Sequence, residues 1–350
     1  MKAPHVLAVR IDNNGDVLLA GPAFRALAAG AGELTLWCGP RGRAAADLLP
    51  GPDRVIEHGA PWIDPHPPPV SASDTMRLVD RLAKLGIEQA FVFTSFHQSP
   101  LPSALLLRLA GVPFVAATSE DYPGSLLDVR HRIDDDVHEV ERSLSLVAQG
   151  GYRLPPGDEG ELRIARRAGT PLGKDFGPYV VVHPGASVPA RAWDPAKHAG
   201  LVDALVRAGI SCVITGSAQE RGLTSRVAGS SRRRVLDLGG RVDFATLGEV
   251  VAGAEAIVVG NTGPAHLAAA VGTPVVSLYA PTVPAVRWRP WRVPCILLGE
   301  QSIACAGCRA SVCPMEGHPC VDEVAVTDVT RALRSFLGRP REAHALEAAG

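Results

Sequence analysis

VVGNTGPAHLAAAVGTPVVSLYAPT, residues 258–282, decides the architecture. The run Ala256 to Val259 reads as a buried strand, because apolar and β-branched residues follow one another without polar alternation. Gly260-Asn261-Thr262-Gly263 is a polar turn, and Pro264 to Val271 is an apolar helix. Pro274 to Leu278 then returns to a buried strand. Strand, turn, helix and strand in this order make the repeating unit of a parallel sheet covered by helices.

The pattern extends in both directions. Upstream lie a strand at Tyr179 to Val182, a helix at Pro195 to Ala208 and a strand at Ser211 to Thr215. A helix at Glu220 to Ala228, a strand at Val235 to Leu238 and a helix at Phe244 to Ala252 complete that half. The first half shows the same rhythm. Ala3 to Ile11 is an opening strand, Asp12 to Gly15 a tight loop, and Val17 to Ala29 a helix carrying Pro22 in its early turns. Leu34 to Trp37 and Val55-Ile56 read as strands around a helix at Arg43 to Leu49. Pro61 to Ser73, with five prolines, reads as a loop. Helix Met76 to Leu85, strand Gln89 to Phe93, helix Leu101 to Ala110 and strand Pro113 to Ala116 follow. Val137 to Ala148 is helical, with Val137, Val140, Leu144 and Val147 spaced by three or four.

Two successive units of this kind predict an α/β protein with two Rossmann-like doubly wound parallel-sheet domains facing a cleft. The Gly- and Pro-rich stretch around 155–175 is the expected boundary. The expected domains are residues 1–160 and 175–325, followed by a C-terminal helix and tail at 326–350, with the helix at Val326 to Leu337.

A chain of 350 residues exceeds what one hydrophobic core usually supports. With 46% hydrophobic residues there is apolar material for two cores and no case for disorder. Lys+Arg 35 against Asp+Glu 36 leaves a formal net charge of -1, which argues against nucleic-acid binding over the whole surface. Arg10 and Asp12 interrupt the first apolar run too soon for a secretory leader, and no stretch approaches a membrane span. The expectation is a cytoplasmic protein, with peripheral contact at the inner face of the cytoplasmic membrane left open.

Ligands of open α/β sheets sit beyond the carboxyl ends of the strands. Three loops occupy such ends. Asp16 stands at a helix entrance, either as a first-turn carboxylate favoured by the helix dipole or as a catalytic group. The surrounding loop lacks GxGxxG, against a dinucleotide fingerprint. His183-Pro184-Gly185-Ala186-Ser187 with Arg191 could hold phosphate oxygens, or Arg191 could be a surface residue with Trp193 packed below the loop. In the turn 260–263, free N–H groups at a helix start can receive a diphosphate without metal. Thr262 adds a hydroxyl there or caps the helix, and His266 faces the turn or the core. The nucleotide base is expected near Thr215-Gly216-Ser217 and Gly240-Arg241-Val242.

VLAVRIDNNGDVLLAGPAFRAL at residues 6–27, HEVERSLSLV at 138–147, VVVHPGASVPARAWDP at 180–195 and the stretch quoted above stand in an order that resembles the heptosyltransferase-type glycosyltransferases of family 9. The resemblance implies a GT-B fold and inverting sugar transfer, typically heptose from ADP-heptose, to a glycan or lipopolysaccharide-core hydroxyl, with no metal or other cofactor required. It implies Asp16 as catalytic base, Arg191 (commonly Lys) as the phosphate-binding cation, and Asn261, Thr262, Gly263 and His266 as the donor-binding motif, with Ser187 as a further donor contact. The family's aspartate is Asn261 here, which keeps hydrogen-bonding capacity and loses the charge. A transferase acting on a soluble or secondary-metabolite acceptor, and a non-catalytic nucleotide-sugar-binding homologue, stay open as alternatives.

Five of the seven cysteines lie in the last fifth of the chain. Cys305, Cys308, Cys313 and Cys320 could supply four sulfur ligands to a structural metal, but the later gaps do not match a common zinc ribbon. Packed or free thiols are the expectation.

Overall fold

A computed structural model describes residues 3–134, 136–166, 172, 176–229 and 234–338. The C-terminal tail at 339–350 and part of the segment read as a boundary lie outside these residues. The chain divides into two compact units, Met1–Ile164 and Ala165–Gly350.

The first unit runs β1 (His5–Arg10), α1 (Asn14–Gly30), β2 (Glu33–Cys38), α2 (Arg43–Ala46), β3 (Arg54–Glu57), α3 (Ala72–Ala83), β4 (Gln89–Val92), α4 (Leu101–Leu109), β5 (Phe114–Thr118), β6 (Val129–His131) and α5 (Glu139–Gln149). Its strands form one parallel sheet of order β3-β2-β1-β4-β5-β6. Leu7, Val9, Trp37, Leu82, Val92, Leu107 and Val115 make an apolar layer between sheet and helices.

The second unit runs β7 (Tyr179–His183), α6 (Pro195–Arg207), β8 (Ser211–Ile214), α7 (Arg221–Ala228), β9 (Val235–Asp237), α8 (Phe244–Gly253), β10 (Ala256–Gly260), α9 (Gly263–Ala270), β11 (Val275–Leu278), α10 (Ala285–Trp288), β12 (Cys295–Leu298), α11 (Pro319–Asp322) and α12 (Val326–Arg334). Its sheet is again parallel, of order β12-β11-β10-β7-β8-β9. Every residue of β7, β10 and β11 is buried, which explains their nearly continuous apolar sequence, interrupted only by His183 and Ser277. The amphipathic α12 turns Val329, Ala332 and Leu333 into the same core as Val182, Leu205, Ile214 and Val258.

Each unit is thus doubly wound, as expected, and the order reverses between β1 and β4 and again between β7 and β10. The structure also departs from the sequence reading. Strands β6 and β12 escaped it, because three or four residues at a sheet edge carry too little pattern. Helix α1 begins at Asn14, inside the segment read as a loop, and continues through Pro22. Helix α3 starts at Ala72 because the Ser71 hydroxyl caps it by accepting the Asp74 N–H. The segment from 218 to 220 is a 3-10 turn that precedes α7.

In the first unit, Arg25 on α1 donates from Nε and Nη2 to the two carboxylate oxygens of Asp158, at 2.6 and 2.9 Å, and from Nη2 to the Glu161 carbonyl. Both side chains are under a tenth exposed. The fork ties the segment around 158–164, including buried Leu162 and Ile164, to α1. In the second unit, His198 on α6 is buried edge-on against Trp193, with ring centroids 4.9 Å apart. Burial drives its imidazole from the ordinary value of 6.5 down to about 3, with a smaller push from His183.

Two outcomes follow from these contacts. Asp158→Ala leaves Arg25 buried without its partner and is expected to lower stability by about 3–5 kcal/mol, read from the urea unfolding midpoint. His198 stays neutral when folded while its unfolded counterpart takes up a proton, so its stabilisation is complete above pH 6.5 and is lost as pH falls toward 3. Between pH 6.5 and 4 the wild-type midpoint should fall more steeply than that of His198→Gln; parallel slopes would refute this.

Candidate active site

The reversal of strand order determines where each candidate stands. In the second unit, β7 and β10 are neighbours, with His183 opposite Val259. The connection after β7 carries Ser187, exposed, and Arg191, at the end of a short 3-10 turn. It returns so close over β10 that a Cβ on Gly260 would lie 3.1 Å from the Arg191 carbonyl oxygen. Asn261, buried, directly follows Gly260. The structure therefore brings Arg191 and the 260–263 turn together at the carboxyl ends of the two central strands.

Helix α9 opens from that turn. Thr262 occupies the cap position with an extended backbone, but its side chain makes no capping hydrogen bond. The capping role open to Thr262 from sequence is not realised. Gly263 begins the helix and Pro264 occupies its first turn, so the partial positive charge of the N-terminus is directed at the turn. His266 is buried one turn in. Arg191 donates from Nε to the Thr282 Oγ1 at 3.0 Å, and Thr282 is itself buried. That bond ties the guanidinium to Thr282 through one of its five N–H donors. Thr282 escaped the sequence reading, although it ends the same motif.

The two stretches expected near a nucleotide base are joined as well. The Gly240 N–H donates to the Gly216 carbonyl at 2.8 Å, and Arg221 donates to the Gly240 carbonyl at 2.6 Å. Below them His183 is hydrogen-bonded to the Thr215 hydroxyl at 3.0 Å, and burial holds its imidazole below the ordinary range. The Glu220 carboxylate accepts the Ser217 N–H at 2.7 Å and fills the space a Cβ would need at Gly185.

In the first unit Asp16 sits in the first turn of α1, with its side chain 18% exposed and hence reachable. One oxygen, Oδ2, accepts the Asn13 N–H at 3.3 Å. The other, Oδ1, is 3.2 Å from Nη2 of Arg10. Arg10 ends β1 and is almost completely buried; its Nε lies 3.1 Å from Asp12, and its Nη2 lies 3.7 Å from Glu139 on α5. Gln98, beyond β4, donates to Asp12 at 2.6 Å. Burial pushes the Asp12 and Glu139 carboxyls up, against the downward pull of Arg10. Arg10, Asp12, Gln98 and Glu139 were not singled out from sequence. The available signal was a charged pair closing an otherwise apolar strand.

Cys305, Cys308 and Cys313 lie near enough to Cys320 to act on its thiol electrostatically. Among the described residues no group of three or more His, Cys, Asp or Glu side chains is placed to hold a metal ion. Cys305 and Cys308 are exposed, Cys313 is half-buried and Cys320 is buried. Burial pushes the Cys320 thiol up to about 11, helped by Cys313, Cys305 and Cys308, so it stays protonated at neutral pH.

The model of glycosyltransferase family 9 (heptosyltransferase) matches residues 87–318. Lipopolysaccharide heptosyltransferase 3 of Escherichia coli is 36% identical over 116 residues, 32% of this chain and 34% of that protein. Lipopolysaccharide heptosyltransferase 1 of Pseudomonas aeruginosa is 34% identical over 197 residues, 53% of this chain and 54% of that one. The matched stretches thus span about a third to a half of the length of these two relatives. The E. coli ADP-heptose lps heptosyltransferase II structure superposes with a TM-score of 0.75 at 20% identity, covering 96% of this chain and 98% of that one, which places the fold among the GT-B structures.

The loop packing gives a direct check. Gly185→Ala must displace the Glu220 carboxylate and break its bond to Ser217, an expected loss of about 1–2 kcal/mol in urea unfolding. Gly222→Ala, on α7 with open space at its Cβ, should instead gain about 0.5–1 kcal/mol.

Proposed function

This chain belongs to glycosyltransferase family 9 (heptosyltransferase), and on that premise we propose that it transfers a sugar, heptose from ADP-heptose, to a hydroxyl of a lipopolysaccharide-core or related glycan acceptor, with inversion. The observation that carries the reading is the uncapped start of α9 beside the Thr282-held Arg191, at the strand-order reversal of the second unit. That is a receptacle for a diphosphate. The Asn261 amide offers hydrogen bonds to donor hydroxyls, with Ser187 and His266 completing the donor-side set.

The chemistry assigns a role to each unit. Residues 175–325 hold the nucleotide sugar and residues 1–160 serve the acceptor, with 326–350 as a closing helix and tail. As the acceptor oxygen attacks the anomeric carbon, its proton passes to the Asp16 carboxylate and the bond from that carbon to the phosphate oxygen breaks. The electron pair leaves with the nucleoside diphosphate. Arg191 and the N–H groups at the start of α9 receive that charge, a task they perform without a metal ion. Among the described residues no helix is long and apolar enough to cross a membrane. In this reading the enzyme works on the cytoplasmic side, meeting a lipid-linked acceptor peripherally.

Asp16→Asn should lower turnover by about 10²–10⁴-fold while ADP binding is preserved. Arg191→Ala should weaken ADP binding by about 10–100-fold, the loss of a charge-assisted bond. Calorimetric titration with ADP and mass analysis of products from ADP-heptose and a heptose-free core acceptor check both. Donor binding without product across a broad acceptor panel would favour a non-catalytic homologue, which the neutral Asn261 would suit; product from a soluble acceptor alone would redirect the pathway.

A further inference from the structure

We propose that Arg10 is a positioning residue for the transfer step, holding the Asp16 carboxylate in the orientation in which it accepts the proton. The inference rests on Asp16 being the base. Its geometric basis is a division of labour around one carboxylate. Oδ1 is held at 3.2 Å by Nη2 of Arg10, while Oδ2 is held by the Asn13 N–H at 3.3 Å and approached by the Asn13 amide nitrogen at 3.5 Å. Each oxygen therefore has its own anchor on a different element, and the plane of the group is determined by both together.

Arg10 is in turn held from three sides. Asp12 lies 3.1 Å from its Nε, Ser95 accepts from Nη2 at 3.3 Å, and Glu139 lies 3.7 Å from the same nitrogen. Asp12 is fixed by Gln98, whose own amide oxygen accepts the Ser95 N–H at 3.0 Å. The brace therefore unites the ends of β1 and β4 with the start of α5. Arg142 lies 3.8 Å from the other oxygen of Glu139, and Arg10 lines a small cavity with Thr94, Thr118, Glu139 and Arg142.

A purely structural guanidinium needs only to neutralise its buried neighbours. Asp12 and Glu139, both almost fully buried, already do that for Arg10. The contact to Asp16, the one carboxylate of the three with appreciable exposure, is additional to that neutralisation. The planar guanidinium donates to Asp16 from Nη2 while its Nε edge lies 3.1 Å from the Asp12 carboxylate as an ion pair, and a lysine ammonium, a single point of charge, cannot face both. Small errors in the orientation of a base are costly, on the order of 10²-fold for a displacement near 1 Å.

The test compares steady-state kinetics of Asp16→Asn, Arg10→Lys, Arg10→Ala and Glu139→Gln, with ADP-heptose as donor and a heptose-free core acceptor. Arg10→Lys should lose about 10²-fold in kcat with the donor KM and ADP affinity within about twofold of wild type. Added guanidinium ion, at concentrations that leave the wild type unaffected, should restore part of the turnover of Arg10→Ala and none of that of Asp16→Asn. Wild-type kcat in Arg10→Lys, beside an inactive Asp16→Asn, overturns the proposal. Substantial turnover by Asp16→Asn would instead overturn the assignment of the base. If neither Arg10 variant folds, the isosteric Glu139→Gln decides: a severalfold fall in kcat at constant donor KM supports the brace, and unchanged kcat overturns it.

Discussion

Parallel strands cannot be joined by a tight turn, so every connection must cross a face of the sheet and return. Where strand order reverses, consecutive connections leave toward opposite sides and open a crevice above the two central strands. The placement of the candidate site residues depends on that constraint. It places Asp16 and Arg10 above β1 and β4 in one unit, and Arg191 and the 260–263 turn above β7 and β10 in the other. The scaffold below is apolar, and these polar groups gather where its central strands end, Arg10 itself buried there.

The two rims have opposite electrostatic characters. In the first unit three carboxylates surround one buried guanidinium, and close pairing offsets part of the cost of removing those charges from water, with Ser95 accepting from Arg10 and Gln98 donating to Asp12. Such a cluster has little latitude, since loss of one member leaves another buried and uncompensated. The second unit presents a cation and a helix start whose N–H groups have no side-chain cap. An acidic, tightly cross-braced rim suits a group that accepts a proton. A positive rim with open donors suits a group that departs as a diphosphate.

Much of the fold was legible. The central strands β7, β10 and β11 are buried on both faces, and their short valine and isoleucine runs record this directly. Asp16, Arg191 and Thr262 stood out as candidates for a related reason: each lies in the connection that follows a buried strand, where the chain leaves the core. Edge strands β6 and β12 were not, because their few residues are only partly buried and their pairing is dictated by β5 and β11. The early start of α1 was hidden by polar Asn13 and Asn14, residues equally at home in a loop and in a cap.

By itself the sequence determined that strands and helices alternate, that there are two such arrays, and which polar residues follow which strands. Those properties are local, set by side-chain periodicity over a few residues. Only tertiary structure decided that Glu139 meets Arg10 across the first unit, that Gln98 fixes Asp12, and that Thr282 accepts from Arg191. Such contacts join residues 86 to 129 positions apart between Gln98 and Asp12 or between Glu139 and Arg10, and no local pattern specifies them. Strand order brings them together, and strand order is settled by burial of the whole sheet.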